Sequence, residues 1–461
     1  MDIIHLPFEL WTLIVDLLDI KLQVRLIQLC KTIKDKIFIT DLCNIDYNLK
    51  RKLTRDIIKK YPNIKKLYAG GNCGIDDDSL VGLNLVELNA CGNKKIKKIN
   101  HMTNLRILDA SGYFWTHNDI FVEFNCGIMD DDLVGLNLVK LNVSLNPKIK
   151  KINHMTNLRI LDASGDFRIE EDDSLVRLNC GIDDDSLVST LGGLNLVKLN
   201  ASWNPKIKKI NHMTNLRILD ASDTCGIGDE GLIGLNLVEL KAFHNPKIKK
   251  INHMTNLRIL DASDNCGIGD EELIGLNLIK LNINGNPKIK KINHMTNLRI
   301  LDAYGDCGIN DDSLVGLNLV ELNALGNQKI KKVNHMINLK ILNAGWSSGI
   351  GDDDLIGLNL EELHACENPK IKKINHMTNL RILYGSGKCG IGNEDLIGLN
   401  LVELYADFNS KIKKINHMTN LRKLHAVGNC GVDDDSLVGL NLIELNALNN
   451  PKIQKNISLL N

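Results

Sequence analysis

The chain has 461 residues, with 56 Lys plus Arg against 56 Asp plus Glu and a formal net charge of zero. No global field therefore draws it to nucleic acid or to an anionic membrane, and any charged surface must be local. The opening residues, MDIIHLPFELWTLIVDLLDI, lack a basic leader and a small-residue cleavage site, and Asp16 and Asp19 interrupt the apolar run well short of a spanning helix, so the expectation is an intracellular, cytoplasmic chain with the nucleus also open.

In residues 1–45, Leu10, Ile14, Leu17 and Leu18 fall at helical spacing, and Leu22, Leu26, Leu29, Ile33 and Ile37 continue a second stripe. Pro7 stands just before the first stripe, where its fixed φ suits a helix start. Two or three short helices are predicted there, with a linker or capping helix at 46–62.

From residue 63 the chain repeats. Aligned on Asn followed by Leu (Ile in the first copy), units start at Asn63, Asn84, Asn104, Asn137, Asn157, Asn195, Asn215, Asn236, Asn256, Asn277, Asn297, Asn318, Asn338, Asn359, Asn379, Asn400, Asn420 and Asn441. From Asn195 the spacing alternates between 20 and 21 residues, so two unit types alternate, LVELNASWNPKIKKINHMTN and LRILDASDNCGIGDEELIGLN. Both carry L-x-x-L-x-A-x-x-N, as in Leu196, Leu199, Ala201 and Asn204, with Ile207 following. L-x-L-x-A is a period-2 pattern, a short strand with its apolar side inward. Such strands stack into one parallel sheet in which each turn buries its leucines against its neighbours. The recurring Asn is expected to form a ladder of side-chain amides that satisfy backbone groups where the chain leaves the strand. The short turns leave room only for loops and single helical turns on the far side.

Two insertions interrupt the array. YFWTHNDIFVEF, at 113–124, holds five of the nineteen aromatic residues, and it either packs on its own solenoid or anchors a partner. A second insertion, around Asp166 to Leu178, repeats DDSLV at 172–176 and 184–188 and reads as a partial duplication.

Several motifs that suggest chemistry are explained by the repetition. Cys73, Cys126, Cys180, Cys225, Cys266, Cys307, Cys389 and Cys430 share one repeat position, with Ser348 at the ninth. Equivalent positions lie two turns apart, about 10 Å, beyond a disulfide or a shared zinc, so no metal and no cofactor is expected. The histidines of Asn-His-Met, such as His212, His253 and His294, recur at the same spacing and read as structural. Lys208 and Lys209 superpose on Gly228 and Asp229 of the adjacent turn, and elsewhere on paired aspartates such as Asp184 and Asp185. Basic and acidic loops thus alternate along one edge, whereas a phosphate backbone needs an unbroken basic track. No G-x-S-x-G, P-loop, HExxH or paired-Cys spacing occurs, and a non-enzyme is expected.

Candidate target-binding residues lie where the copied frame changes. On the exposed strand face the recurring Asp of Asp220, Asp261 and Asp302 becomes Asn343, Tyr384 and His425, while the other unit type brings His364 and Tyr405. Tyr304, Trp346 and Phe408 sit at strand ends, and Tyr113, Phe114 and Trp115 open the first insertion.

The eighteen units resemble leucine-rich repeats, with Ala where that family usually has a third Leu, and CGIGDEELIGL resembles the cysteine-containing subclass. Leu6-Pro7, Glu9-Leu10, Ile14, Leu18 and Leu29-Cys30-Lys31 resemble the F-box, although Leu22-Gln23 replaces its usual Asp-Leu and its later Trp is missing near Ile33. NLKRKLTRDIIKKYPNIKKL resembles the linker helix and first-repeat entry of F-box/leucine-rich-repeat proteins, and the Ile, Lys and Asn bias resembles repeat proteins of giant DNA viruses of amoebae, which would place the chain in host cytoplasm. The resemblance implies an α/β solenoid, a leucine-rich-repeat horseshoe at 63–461 with a parallel sheet on its concave face, preceded by a small all-α F-box-like domain at 1–45. It implies a substrate receptor of a Skp-cullin-F-box (cullin-RING) ubiquitin ligase. Leu6, Pro7, Leu10, Ile14, Leu18, Leu26 and Leu29 would then divide between a Skp-family adaptor interface and the F-box core, and the repeats would hold an unknown target protein. The alternative is a non-catalytic repeat scaffold or decoy whose N-terminal helices act as a cap.

Overall fold

The computed structural model describes residues 39–454 except 44, 118–119, 170–174, 179 and 189–193, together with positions 18, 22, 23 and 25. The chain divides into two compact units, Met1–Leu237 and Val238–Asn461. In both, every predicted unit start is followed three residues later by a three-residue strand, from Lys66–Tyr68 to Glu444–Asn446.

In the first unit the strands Lys66–Tyr68, Glu87–Asn89, Ile107–Asp109, Lys140–Asn142, Ile160–Asp162, Lys198–Asn200 and Ile218–Asp220 pair in parallel, with the central leucines in register from Leu67 to Leu219. In the second unit eleven strands, Glu239–Lys241 through Glu444–Asn446, do the same, with Leu240 to Leu445 in register. Because side chains alternate across a strand, each central Leu points inward while its two neighbours share the outer face. The column of central leucines is buried with Ala201, Ala262 and their equivalents and with Ile207, Ile289 and theirs. Each such leucine contributes about 1.5–3 kcal/mol by leaving water.

Buried asparagines tie each pair of turns. Asn368 Nδ2 donates to Ala344 O at 2.7 Å and Ile350 O at 3.1 Å, and its Oδ1 accepts from Lys370 N at 3.0 Å. Asn93, Asn286 and Asn409 repeat the pattern. The alternation of acidic and basic loops has a more specific cause than mutual charge neutralisation. Asp352 Oδ1 accepts from the backbone N–H of both Lys372 (2.6 Å) and Lys373 (2.8 Å), so one carboxylate satisfies two adjacent main-chain donors of the next turn. Asp77, Asp130, Asp184, Asp270 and Asp311 act in the same way.

Opposite the sheet stand single helical turns such as Asp77–Leu80, Asp184–Leu187 and Asp311–Leu314, each with an Asp or Asn N-cap that accepts from the Ser backbone three residues on. At the entry to the array, Tyr47–Lys50 and Arg55–Ile58 form two short helices within the predicted 46–62 linker. Before them, Asp41–Leu42 adds a short parallel strand against Lys66 and Leu67. The sequence reading places these residues in its helical segment and misses that strand.

Both insertions are antiparallel hairpins. Tyr113–His117 pairs with Ile120–Phe124, and Asp166–Ile169 with Leu175–Leu178. The second thus takes a different structure from the turn whose DDSLV it repeats. Leu175 and Val176 of the first DDSLV copy are extended, while Asp184–Leu187 of the second is helical.

Candidate protein-binding face

Four of the sequence-selected residues come together. His364, Tyr384, Tyr405 and His425 occupy the third position of consecutive strands and stand opposite one another in register. Their ring centroids are 4.0 Å, 4.2 Å and 4.7 Å apart, the first two pairs stacked and the last tilted by 42°. The sheet imposes this spacing, since parallel strands lie about 4.8 Å apart and cross-strand side chains on one face inherit the interval.

A second column runs beside the rings at the first position of the same four strands, Glu362, Ile382, Glu403 and Lys423, and continues to Glu444 on the next strand. Residues two apart on a strand share a face, and each glutamate is tied to a ring. His364 Nε2 lies 2.6 Å from Glu362 Oε1, the Tyr405 hydroxyl donates to Glu403 Oε2 at 3.0 Å, and His425 Nε2 lies 3.2 Å from Glu444 Oε1. Lys423 Nζ is 3.1 Å from Glu444 Oε2 and 5.6 Å from the Tyr405 ring centre. Hydrogen bonding to Glu444 holds the Lys423 ammonium above its ordinary range, and bonding to Lys423 holds the Glu444 carboxyl below its own. Burial, followed by the neighbouring Tyr405 hydroxyl, pushes the Tyr384 phenol up to about 12, so it is neutral at physiological pH. The sequence reading missed Glu362, Glu403, Lys423 and Glu444 as parts of this site; the first three stand two residues before a ring, which was the available signal, whereas Glu444 reaches His425 from the next strand.

The edge residues are placed separately. Trp346 and Phe408 sit immediately before the Asn position, with φ of 57° and 59°, and are 62% and 61% exposed. Other turns place Gly at this left-handed position, for example Gly326, Gly387 and Gly428. A bulky L-residue there costs on the order of 1–3 kcal/mol, and an exposed indole recovers little of it by packing. The Phe408 ring lies across Gly428, where an added Cβ would stand 2.2 Å from Phe408 Cε1. Tyr304, also exposed, lies over Gly326.

In the first insertion Tyr113 leans back on the array, its hydroxyl 2.9 Å from where a Cβ would stand on Gly71. The backbones of Phe114 and Trp115 pair with Glu123 and Val122. Of the predicted adaptor residues, Leu18 is half-buried, and Leu6, Pro7, Leu10, Ile14, Leu26 and Leu29 lie outside the described residues.

The repeated histidines and cysteines have structural places. His335, His376 and His417 Nε2 stand 3.1–3.2 Å from a leucine carbonyl of the preceding turn. The column cysteines are buried and not disulfide-bonded, and burial pushes the thiols of Cys126 and Cys389 up to about 12, which keeps them protonated and poorly nucleophilic at neutral pH. Among the described residues no group of three or more His, Cys, Asp or Glu side chains converges on a metal-sized site. Among the same residues no helix is long and apolar enough to cross a membrane.

No protein-family model and no curated protein matches this chain. Among solved structures, an internalin (inlF) from Listeria monocytogenes is 17% identical over 86% of this chain and 94% of that one, with a TM-score of 0.30. The functional domain of InlJ from Listeria monocytogenes, which includes a cysteine ladder, is 17% identical over 81% of this chain and 69% of that one, also with a TM-score of 0.30. At such scores the likeness carries no argument. The parallel solenoid architecture within each unit rests on the register of the strands, the L-x-x-L-x-A-x-x-N frame and the asparagine ladder.

Proposed function

We propose that this chain is a non-enzymatic protein receptor that holds a segment of a target protein on the outer face of its sheet, along His364, Tyr384, Tyr405 and His425. The observation that carries this reading is the switch of one side-chain column from Asn and Asp to rings while the frame beneath is unchanged. Half-buried rings with polar tips give large contact area at low entropy cost, the composition that recurs at binding hot spots. Nucleic acid and membrane are not the partners in this reading.

The finer part of the proposal concerns residues 1–45, which in this reading dock a Skp-family adaptor through the F-box-like Leu6, Pro7, Leu10, Ile14, Leu18, Leu26 and Leu29. The chain would then place a bound target beside a cullin-RING ubiquitin ligase and act by effective concentration alone. Its support is the sequence resemblance. Without an adaptor the same chain is a scaffold or decoy.

Two experiments test the two parts. A displayed peptide library selected on the full chain is counter-screened against the Tyr384→Ala/Tyr405→Ala variant, and binders that require the rings are the expected result. If every selected binder ignores the substitution, the ring column is not the binding face. Co-purification of the full chain with a Skp-family adaptor, and its loss in Leu6→Ala/Pro7→Ala, tests the second part, and failure of the unsubstituted chain to retain the adaptor leaves the scaffold reading.

A further inference from the structure

The ring column and its neighbour differ in what they leave for a ligand. Stacking occupies the facing surfaces of Tyr384 and Tyr405, so a ligand meets ring edges and hydroxyls there, with carboxylates alongside. Three glutamates, Glu362, Glu403 and Glu444, face one ammonium, Lys423, which pairs with Glu444. Glu403 forms no ion pair among the described residues and bonds the Tyr405 hydroxyl, while Glu362 bonds His364. An ionised carboxylate can accept about four hydrogen bonds, so both retain acceptor capacity. Elsewhere the equivalent column is mixed, with Glu87, Glu239 and Glu321 set against Lys66, Lys140, Lys198 and Lys280, whereas beside the rings three glutamates stand against one lysine.

Spacing defines the ligand further. Glu362 and Glu403 are separated by two strand steps, with Ile382 between them, which is about 9.6 Å. A polyproline-II segment completes a turn in three residues and rises about 9.3 Å, so side chains at i and i+3 point the same way at nearly that interval. In a β-extended peptide, residues i and i+3 point to opposite sides and do not fit.

We infer that the target segment is a basic, extended peptide of polyproline-II form, with Lys or Arg at i and i+3 on Glu362 and Glu403 and its remaining surface along the rings. This inference rests on the receptor reading above and names its ligand class.

The test is fluorescence anisotropy of the full chain with labelled nine-residue proline-rich peptides. One carries Arg at positions 2, 5 and 8, a second carries the same three Arg at 2, 4 and 6, and a third carries Glu at 2, 5 and 8. The first should bind at least several-fold tighter than the second, and the third should not bind. Glu362→Gln/Glu403→Gln, which keeps side-chain shape, should weaken the first by about tenfold, since exposed ion pairs contribute up to about 1 kcal/mol each. Lys423→Gln should strengthen it by removing the competing cation. Equal binding of the two arginine spacings, or no effect of the double glutamine variant, overturns the basic-peptide inference. If Tyr384→Ala/Tyr405→Ala alone abolishes binding, the receptor reading survives that failure. If neither double variant changes binding, both readings fall.

Discussion

Within the second unit, one column of side chains divides into two regions. Asp261, Asn282, Asp302, Asn323 and Asn343 form its polar part, and His364, Tyr384, Tyr405 and His425 its ring part. The polar rungs bond largely to one another and to their own loops: Asn282 Nδ2 donates to Asp261 Oδ2 at 3.0 Å, and Asn284 N donates to Asn282 Oδ1 at 3.1 Å. The ring rungs stack instead, and the polar atoms of His364, Tyr405 and His425 reach glutamates at the solvent face. The leucine and asparagine frame beneath tolerates either chemistry, so the choice of rung is available to function.

Breaking the shared frame gives the largest expected effect. Asn368→Ala, under the ring part, and Asn327→Ala, under the polar part, should each cost about 3 kcal/mol in urea unfolding, because buried backbone groups lose their partners. A large cost at one site and none at the other would show that the two regions do not share a frame. Next, Tyr384→Ala should cost about 1–2 kcal/mol, through the lost stacking on His364 and Tyr405, whereas Asn323→Ala should cost clearly less. Equal losses in chemical denaturation would mean that the stack adds nothing to the sheet.

Trp346→Gly works in the opposite direction. Relief of its left-handed backbone should leave stability unchanged or raise it by up to about 1 kcal/mol in thermal unfolding, while ligand binding falls if the indole serves the site. A clear loss of stability would show that the indole is held for packing. The smallest effect is expected at Asp302→Asn. Burial pushes the Asp302 carboxyl above its ordinary value, so the folded chain binds that proton more tightly than the unfolded chain and stability falls as pH rises through this window. The Asn variant should therefore gain stability relative to the parent at neutral pH, and the gain should vanish below the ordinary carboxylate range. A gain that is independent of pH would assign the effect to hydrogen bonding instead.

Much of this was legible in the sequence. Each unit start fixes a strand three residues on, because a copied L-x-L-x-A period can bury its leucines in only one register. The short strand Asp41–Leu42 was not legible, since it precedes the first copy and has no period of its own. The two hairpins were visible only as departures, and the Leu-Val that closes DDSLV opens a strand in one copy, while Asp184–Leu187 of the other forms a helical turn, according to their neighbours. The positions of His364, Tyr384, Tyr405 and His425 on the outer face were read correctly. Their stacking, and the glutamates that anchor them, required the register between strands.

The sequence by itself determined the repeat, the inward leucines, the asparagine ladder and the solvent-facing column, because all four follow from periodicity and the need to satisfy buried backbone groups. Tertiary structure alone decided that residues about twenty positions apart become neighbours at 4.0–4.7 Å, and that an acidic loop such as that of Asp352 caps two backbone N–H groups of the next turn. The physical reason is that a solenoid converts its sequence period into a strand spacing, and chemistry between turns exists only once that spacing is set.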